Sequence, residues 1–137
     1  MIILKKTKKN YLKEIIDLLS ENISNFKPKK SLNLIWNDFK DQKNVFSFTA
    51  FYKGKIQGFG SIVFEYKIRG GVVGHIEDIV VNKKYRRKKI GTKIIKKLIS
   101  IAKKKKCYKI TLQTKKQKKF YESLSFKKNG ITYQYYF

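Results

Sequence analysis

Two carboxylates stand side by side in a segment that otherwise has the composition of a buried strand. Residues 74–81 read Gly-His-Ile-Glu-Asp-Ile-Val-Val, so Glu77 and Asp78 interrupt an apolar run. Burying an acid is costly unless the acid is paired, neutral or functional. Neighbouring strand residues point to opposite faces, so the two acids can share a face only at a bulge. Either one acid caps a loop or pairs with a lysine while the other is solvated, or both serve a site.

A strongly basic segment follows directly. Six cations lie between the end of this strand and a helix that is predicted to begin near Ile90: Lys83, Lys84, Arg86, Arg87, Lys88 and Lys89. A helix N-terminus offers unpaired backbone N–H groups and the positive end of the helix dipole, so the combination is suited to binding an anion. A solvated basic loop is the alternative interpretation, and the order of acidic strand, basic loop and helix start favours a site.

The whole chain is basic, with 34 Lys and Arg against nine Asp and Glu and a net charge of +25. Such a charge attracts nucleic acid, anionic membranes or phosphorylated small molecules. Only three of the bases are arginines, and the abundance of Lys, Ile, Asn, Tyr and Phe also fits a bias toward A/T-rich codons. With one cysteine and one histidine, we expect no disulfide and no metal site. No apolar run has the length of a signal peptide or membrane span, so we expect a cytosolic or nuclear protein without membrane contact, and we predict the cytoplasm.

Apolar spacing and turn residues predict one domain, 1–137, with an α/β fold built on a mixed sheet. Strands are expected at 1–7, 45–52, 56–66, 72–81 and 107–114, and a final hairpin over 126–137 turns at Asn129-Gly130. Helices are expected at 10–23, 31–40, 90–105 and 115–124. Asn10 and Ser31 are the expected caps of the first two helices. The first helix is expected to bury the face formed by Leu12, Ile15, Ile16, Leu19 and Ile23.

Three segments together carry a family resemblance. Residues 74–95 (GHIEDIVVNKKYRRKKIGTKII), 107–113 (CYKITLQ) and 118–126 (KKFYESLSF) closely resemble the GNAT superfamily of acyl-CoA-dependent N-acyltransferases, in particular its branch acting on glucosamine 6-phosphate. The resemblance implies a GNAT fold, acetyl-CoA as co-substrate and acetyl transfer to the amine of this sugar phosphate, a step toward UDP-GlcNAc.

The resemblance also implies which residues bind the co-substrate. Backbone groups of the strand end would pair with the pantetheine arm as an added strand would. N–H groups of the loop and helix start would hold the diphosphate. The residues concerned are Ile79, Val80, Val81, Arg86, Arg87, Lys88, Lys89, Ile90, Gly91, Thr92 and Gln113.

On the acceptor side, the resemblance implies that Glu77 and Asp78 orient the sugar and its amine, and that Tyr121 donates a proton to the departing thiolate. The amine would attack the thioester directly, without a covalent enzyme intermediate. Lys67 and Arg69 are the candidates for binding the sugar phosphate. Cys107 and His75 are expected to be structural.

The chain departs from the family pattern at several positions. Arg87 and Lys89 stand where the diphosphate loop has glycines, which puts the loop conformation in question. Gln113 replaces an aspartate and Ser125 a glycine. Tyr136 aligns with an arginine that helps to bind the sugar phosphate.

The closing segment, Ile-Thr-Tyr-Gln-Tyr-Tyr-Phe, is rich in aromatic residues that suit pairing with another chain. The resemblance implies a homodimer to which C-terminal strands contribute, and a strand buried within the monomer is the alternative. Two other functions stay open: a GNAT enzyme that acetylates a protein N-terminus or lysine, and a basic module binding nucleic acid. The aromatic residues follow core periodicity and form no stacking platform, which argues against nucleic acid.

Overall fold

A twisted sheet of five strands forms the centre of the computed structural model, which describes all residues 1–137. The strands are β1 (Ile2–Lys6), β2 (Val45–Tyr52), β3 (Lys55–Tyr66), β4 (Val72–Val81) and β5 (Lys109–Thr111). The helices are α1 (Leu12–Asn22), α2 (Leu32–Lys40), α3 (Ile90–Lys104) and α4 (Lys118–Ser123). Short 3₁₀ turns lie at Lys9–Tyr11 and Lys83–Lys88.

The strands lie in sequence order, β1-β2-β3-β4-β5. The first four are antiparallel, and β5 is parallel to β4 because α3 crosses over between them. The predicted mixed sheet is therefore confirmed. The bounds expected for β2 and β4 from their apolar composition and flanking turns match the structure.

Apolar side chains form two cores, one on each face of the sheet. The face toward α3 buries Ile62, Ile90, Ile94, Ile95 and Leu98 completely. The face toward α1 holds a smaller cluster around Ile15, Leu18, Phe59 and Val80. Because β4 passes between the two cores, its side chains alternate between them, and this alternation decides where its acids point.

The start of α1 differs from the prediction. Asn10 lies within the 3₁₀ turn, and the N-cap of α1 is Tyr11, which makes no side-chain capping bond. The helix therefore begins one residue later than expected. Leu18 joins the buried face, and Ile23, which follows the last residue of the helix, is 60% exposed. The predicted cap of α2 is confirmed, since Ser31 Oγ accepts a hydrogen bond from Leu34 N at 3.3 Å.

The C-terminal prediction was wrong for this chain. No strand follows α4, and the strand expected at 107–114 pairs over only three residues as β5. Gly130 has the positive φ of +82° expected in a turn, but Ile131, Tyr133 and Phe137 are almost fully exposed. A strand needs a neighbouring strand for its backbone and an apolar surface for its side chains. Neither is provided to this segment within one chain.

None of the helices combines the length and apolarity needed to cross a bilayer.

Candidate active site

The two acids of β4 lie at a β-bulge. The pairing of β3 with β4 shifts register between Phe59 and Ser61, so Asp78 and Ile79 lie opposite Gly60 alone. Asp78 has a φ of 54°, which is left-handed backbone that non-glycine residues seldom adopt. A strained residue of this kind persists only when its surroundings enforce it, and such residues cluster at functional sites.

The bulge brings both acids to one face of the sheet. Ile76 and Ile79 pack into the core on the α3 face, whereas Val80 packs on the α1 face. Alternation therefore directs Glu77 toward the α1 face, and the extra residue of the bulge directs Asp78 there too. This is the arrangement that the sequence required if the acids were to act together.

A glycine makes room for the bulge. A Cβ at Gly60 would lie 2.5 Å from Ile79 Cδ1 and 2.6 Å from Ile94 Cγ2, well inside van der Waals contact. The α3 core can therefore close over the bulged strand only where β3 carries no side chain.

Asp78 lines a cavity of about 380 Å³ between α1, α2, their connection and the sheet. Most of the wall is apolar: Leu12, Ile15, Ile16, Leu19, Ile23, Phe26, Pro28, Ile35, Trp36, Phe39 and Phe59. Thr7, Ser24 and Asp78 are its polar members. Although part of Asp78 stays accessible to solvent, the apolar surroundings remove water from its carboxyl group, and this desolvation raises its pKa. The cavity thus offers one carboxylate to a cationic group.

The edge of β4 beside the acids is open. β5 pairs only with Val73, Gly74 and His75, so the strand from Ile76 to Val81 has no partner on that side. The last registered pair is His75 with Thr111, where a hydrogen bond of 2.8 Å joins His75 Nδ1 and Thr111 Oγ1. Beyond this point the two strands separate and leave backbone N–H and C=O groups of β4 available to an extended ligand.

His75 is held from both sides. Its Nε2 lies 2.8 Å from Glu65 Oε1, and the histidine and Lys67 lower the pKa of the Glu65 carboxyl. These bonds tie β4 to β3 and β5 at the point where β5 diverges, in keeping with the structural role expected for His75.

The basic loop runs from β4 to α3 as a 3₁₀ turn that ends in a left-handed residue. Lys89 has φ 65° and ψ 23°, the conformation that glycine adopts most readily, so the loop keeps this turn without a glycine. None of its six cations forms an ion pair. The first turn of α3 is closed by Lys93 N, which donates to Lys89 O at 3.1 Å. The N–H groups of the three preceding residues, Ile90, Gly91 and Thr92, therefore have no helical partners.

Tyr121 lies beside this loop on α4. Its neighbour Phe120 approaches Gly91 so closely that a Cβ there would lie 3.3 Å from the ring. The Tyr121 ring packs edge-on against Phe120 and Phe126 and is 9% exposed. Burial raises the pKa of its phenol. The hydroxyl makes no hydrogen bond within the chain. Every fully buried side-chain polar atom of the chain has a hydrogen-bond partner, so this unpartnered hydroxyl must be in contact with solvent.

Three predicted positions lie elsewhere. Lys67 Nζ is 3.2 Å from Glu65 Oε2, and Arg69 lies in the turn that follows. Glu77 pairs with Ser61 of β3, and Lys67 lies six residues further along the chain. At about 3.3 Å per residue, this separation is roughly 20 Å. Within one chain, the structure does not bring these two cations to the acids. Gln113 lies past the end of β5, where its Nε2 donates to Thr132 Oγ1 at 3.2 Å.

Cys107 is partly buried, and desolvation raises the pKa of its thiol. Its backbone N donates to Ala102 O at 3.0 Å, so the residue ends the turn that leaves α3. A thiol with a raised pKa is a poor nucleophile at neutral pH, which agrees with the packing role expected for it.

Sequence reasoning missed the side chains that anchor the basic loop, Asn22, Gln57 and Asn82. Asn82 Oδ1 accepts from Lys84 N at 3.1 Å as the cap of the 3₁₀ turn. An asparagine just before a helical turn was the available signal. The contacts of Asn22 and Gln57 join residues far apart in the chain, so no local sequence signal indicates them.

Comparison with protein families and with known proteins identifies relatives of this chain. The chain belongs to the acetyltransferase (GNAT) family, whose model matches residues 12–126. A glucosamine 6-phosphate N-acetyltransferase of Dictyostelium discoideum is 45% identical over 85 residues, 60% of this chain and 54% of that protein. One from Arabidopsis thaliana is 37% identical over 87 residues, 61% of this chain and 58% of that protein. In these alignments the chain spans about half the length of the curated relatives it matches.

Solved structures show the same fold over the whole chain. An acetyltransferase of Trypanosoma brucei superposes with a TM-score of 0.88 at 26% identity and covers 100% of both chains. The crystal structure of glucosamine-6-phosphate N-acetyltransferase from Arabidopsis thaliana gives a TM-score of 0.87 at 25% identity, with 100% of this chain and 99% of that one covered.

Proposed function

We propose that this protein transfers the acetyl group of acetyl-CoA to the amine of glucosamine 6-phosphate in the cytoplasm, giving N-acetylglucosamine 6-phosphate for UDP-GlcNAc synthesis. The observation that carries the proposal is the 45% identity to a glucosamine 6-phosphate N-acetyltransferase. The bulge that turns Glu77 and Asp78 to one face supports it, because an amino sugar presents a cation and hydroxyl groups to such a pair.

The residues present fit acetyl-CoA, which supplies an acetyl group already activated as a thioester. The unpaired edge of β4 from Ile76 to Val81 suits the two amides of the pantetheine arm. The free N–H groups at the start of α3 and the unpaired cations Lys83–Lys89 suit the diphosphate. Lys89 contributes its charge and also the left-handed turn that directs the loop into the helix.

Each side chain has a distinct task in the proposed reaction. Attack requires an unprotonated amine, and a carboxylate whose pKa is raised, as that of Asp78 is, takes up a proton more readily than an ordinary one. Glu77 holds the sugar hydroxyls beside it. Backbone N–H groups of the open β4 edge donate to the developing oxyanion. The Tyr121 hydroxyl, whose raised pKa keeps it protonated at neutral pH, donates its proton to the departing thiolate.

We infer a homodimer as the active form. The segment from Ile131 to Phe137 exposes aromatic side chains that no part of its own chain covers, and β5 has a free edge. A second copy would also be the means by which Lys67 and Arg69 reach a sugar phosphate, given their distance from the acids of their own chain.

One observation favours a second candidate acceptor. The cavity that contains Asp78 is mainly apolar, and no lysine or arginine lines it. Such a wall suits an amine carried on an apolar group, such as the N-terminal residue of a peptide. A GNAT enzyme acting on protein N-termini is therefore the alternative.

Thiol release from acetyl-CoA separates these candidates. The acceptors compared are glucosamine 6-phosphate, glucosamine and a peptide with an apolar N-terminal residue. Turnover with the sugar phosphate alone supports the proposal, and turnover with the peptide alone replaces it by the alternative. Tyr121→Phe should lower turnover, whereas Tyr108→Phe, at a residue that is 55% exposed, serves as the matched control and should not.

A further inference from the structure

Asn82 fixes the first turn of the basic loop with all of its polar groups. Its backbone N donates to Gln57 O at 2.9 Å, and its Nδ2 donates to Gln57 Oε1 at 2.9 Å. Its Oδ1 accepts from Lys84 N at 3.1 Å, and its backbone O accepts from Tyr85 N at 2.9 Å. Gln57 is 7% exposed, so the loop is anchored to a buried side chain of β3.

Asn22 holds the same turn from the other side. Its Oδ1 accepts from Lys83 N at 3.0 Å, and its Nδ2 donates to Leu18 O at 2.9 Å. These two bonds need both ends of an amide: a carboxylate would keep the first and lose the second. The contact joins residues 61 positions apart in the chain.

Asn22 lies between the wall of the acceptor cavity and the basic loop. Asn22 is the last residue of α1, and Leu19 and Ile23 on either side of it line the cavity that contains Asp78. Lys83 is the first cation of the basic loop. A single hydrogen bond thus connects the wall of the acceptor cavity to the loop that would hold the co-substrate diphosphate.

We propose that Asn22 and Asn82 are positioning residues that hold the basic loop. Through Asn22, the binding of a ligand to this loop changes the wall of the acceptor cavity. The inference rests on the proposed function for the identity of the loop's ligand, CoA. The bonds of Asn22 are formed without a ligand, so a shift of Lys83 when CoA binds the loop would be passed to the end of α1 through Asn22. The cavity wall then changes before any acceptor arrives, which is coupling between two sites in the thermodynamic sense.

Trp36 makes the coupling measurable. It is the sole tryptophan of the chain, and it lines the cavity on the side of α2. Free CoA is the probe, since it binds the loop without turnover. Trp36 is excited at the red edge of indole absorption, where adenine does not absorb, and its emission is followed during CoA titration, while calorimetry gives the CoA affinity independently.

Three variants separate the possibilities. Asn22→Asp keeps the acceptor for Lys83 N and should retain the Trp36 response. Asn22→Ala removes it and should abolish the response and weaken CoA binding by about five-fold, the worth of one ordinary hydrogen bond. Asn37→Ala, at an exposed position of α2, is the control and should behave as the original protein.

The outcomes distinguish the inference from the proposed function. CoA binding without any Trp36 response, or a response that survives in Asn22→Ala, overturns the inference and leaves the function standing. Absence of CoA binding to the original protein overturns both. Should Asn22→Ala fail to fold, Asn22→Leu, which is close in volume and lacks the amide, decides the question by the same two measurements.

Discussion

Lys89 offers a quantitative test of how this chain forms the proposed CoA-binding loop without a glycine at its left-handed position. Its φ of 65° and ψ of 23° lie in the left-handed region, and no side-chain bond caps the helix that follows. For an L-residue other than glycine this conformation costs about 1 to 2 kcal/mol. Lys89→Gly removes that cost, but glycine adds about 0.5 to 1 kcal/mol of conformational entropy to be lost on folding. We therefore expect a net stabilisation of roughly 0 to 1.5 kcal/mol.

Lys88→Gly is the matched control, because Lys88 lies in the helical part of the same turn. It removes the same charge and carries the same entropy penalty, without any strain to relieve. We expect it to destabilise the protein by about 0.5 to 1 kcal/mol. The two variants should thus differ by roughly 1 to 2 kcal/mol, which is the left-handed cost itself.

Urea unfolding followed by circular dichroism measures this difference, provided that both variants keep the same m-value. Thermal melts should agree, at roughly 4 °C in Tm per kcal/mol for a domain of this size. Equal destabilisation by the two substitutions would refute the argument that Lys89 is strained. CoA affinity measured on the same samples then compares the contribution of Lys89 with that of Lys88, since each variant loses one cation.

Three further predictions concern Asp78, Tyr121 and the glycine opposite the β-bulge, Gly60. Asp78→Asn should lower kcat/KM by about 10- to 100-fold, the worth of a charge-assisted hydrogen bond. Burial raises the pKa of Asp78 above the usual 3.8, so the charged form of this side chain destabilises the folded protein at pH 7. Asp78→Asn removes that charge and should therefore raise Tm at pH 7. Below pH 3.8 the carboxyl group is protonated in the folded and the unfolded chain alike, and Tm should show no gain. Tyr121→Phe should lower kcat about 100-fold. Since the pKa of Tyr121 is raised above 10, a basic limb of the kcat profile below pH 10 would contradict its role as the acid. Gly60→Ala should cost about 1 to 3 kcal/mol in urea unfolding by forcing Ile79 and Ile94 apart, and an unchanged midpoint would count against that packing.

The sequence predicted those parts of the fold that depend on local patterns. Apolar composition and flanking turn residues predicted β2 and β4, and helical spacing from Ile90 predicted α3 to within one residue of its end. The rule that adjacent strand residues face opposite ways showed that Glu77 and Asp78 would need a bulge, although it could not show that the bulge exists.

What the sequence could not predict depends on distant partners. The anchoring role of Asn22 requires Lys83, 61 residues away, and no local pattern reveals that contact. The closing hairpin was predicted from Asn129-Gly130, a valid turn signal, but a strand also needs a neighbour, which a single chain does not supply. Lys67 was assigned to the sugar phosphate by charge alone, and the length of β3 separates it from the acids.

Proton NMR of a mixture of equimolar acetyl-CoA and glucosamine 6-phosphate shows directly whether the protein transfers the acetyl group to this sugar. We predict that the acetyl methyl signal moves from the thioester to an N-acetyl sugar phosphate at a rate proportional to enzyme concentration, and that Asp78→Asn slows this transfer. Loss of the thioester signal without an N-acetyl sugar, or a rate unaffected by Asp78→Asn, would contradict it.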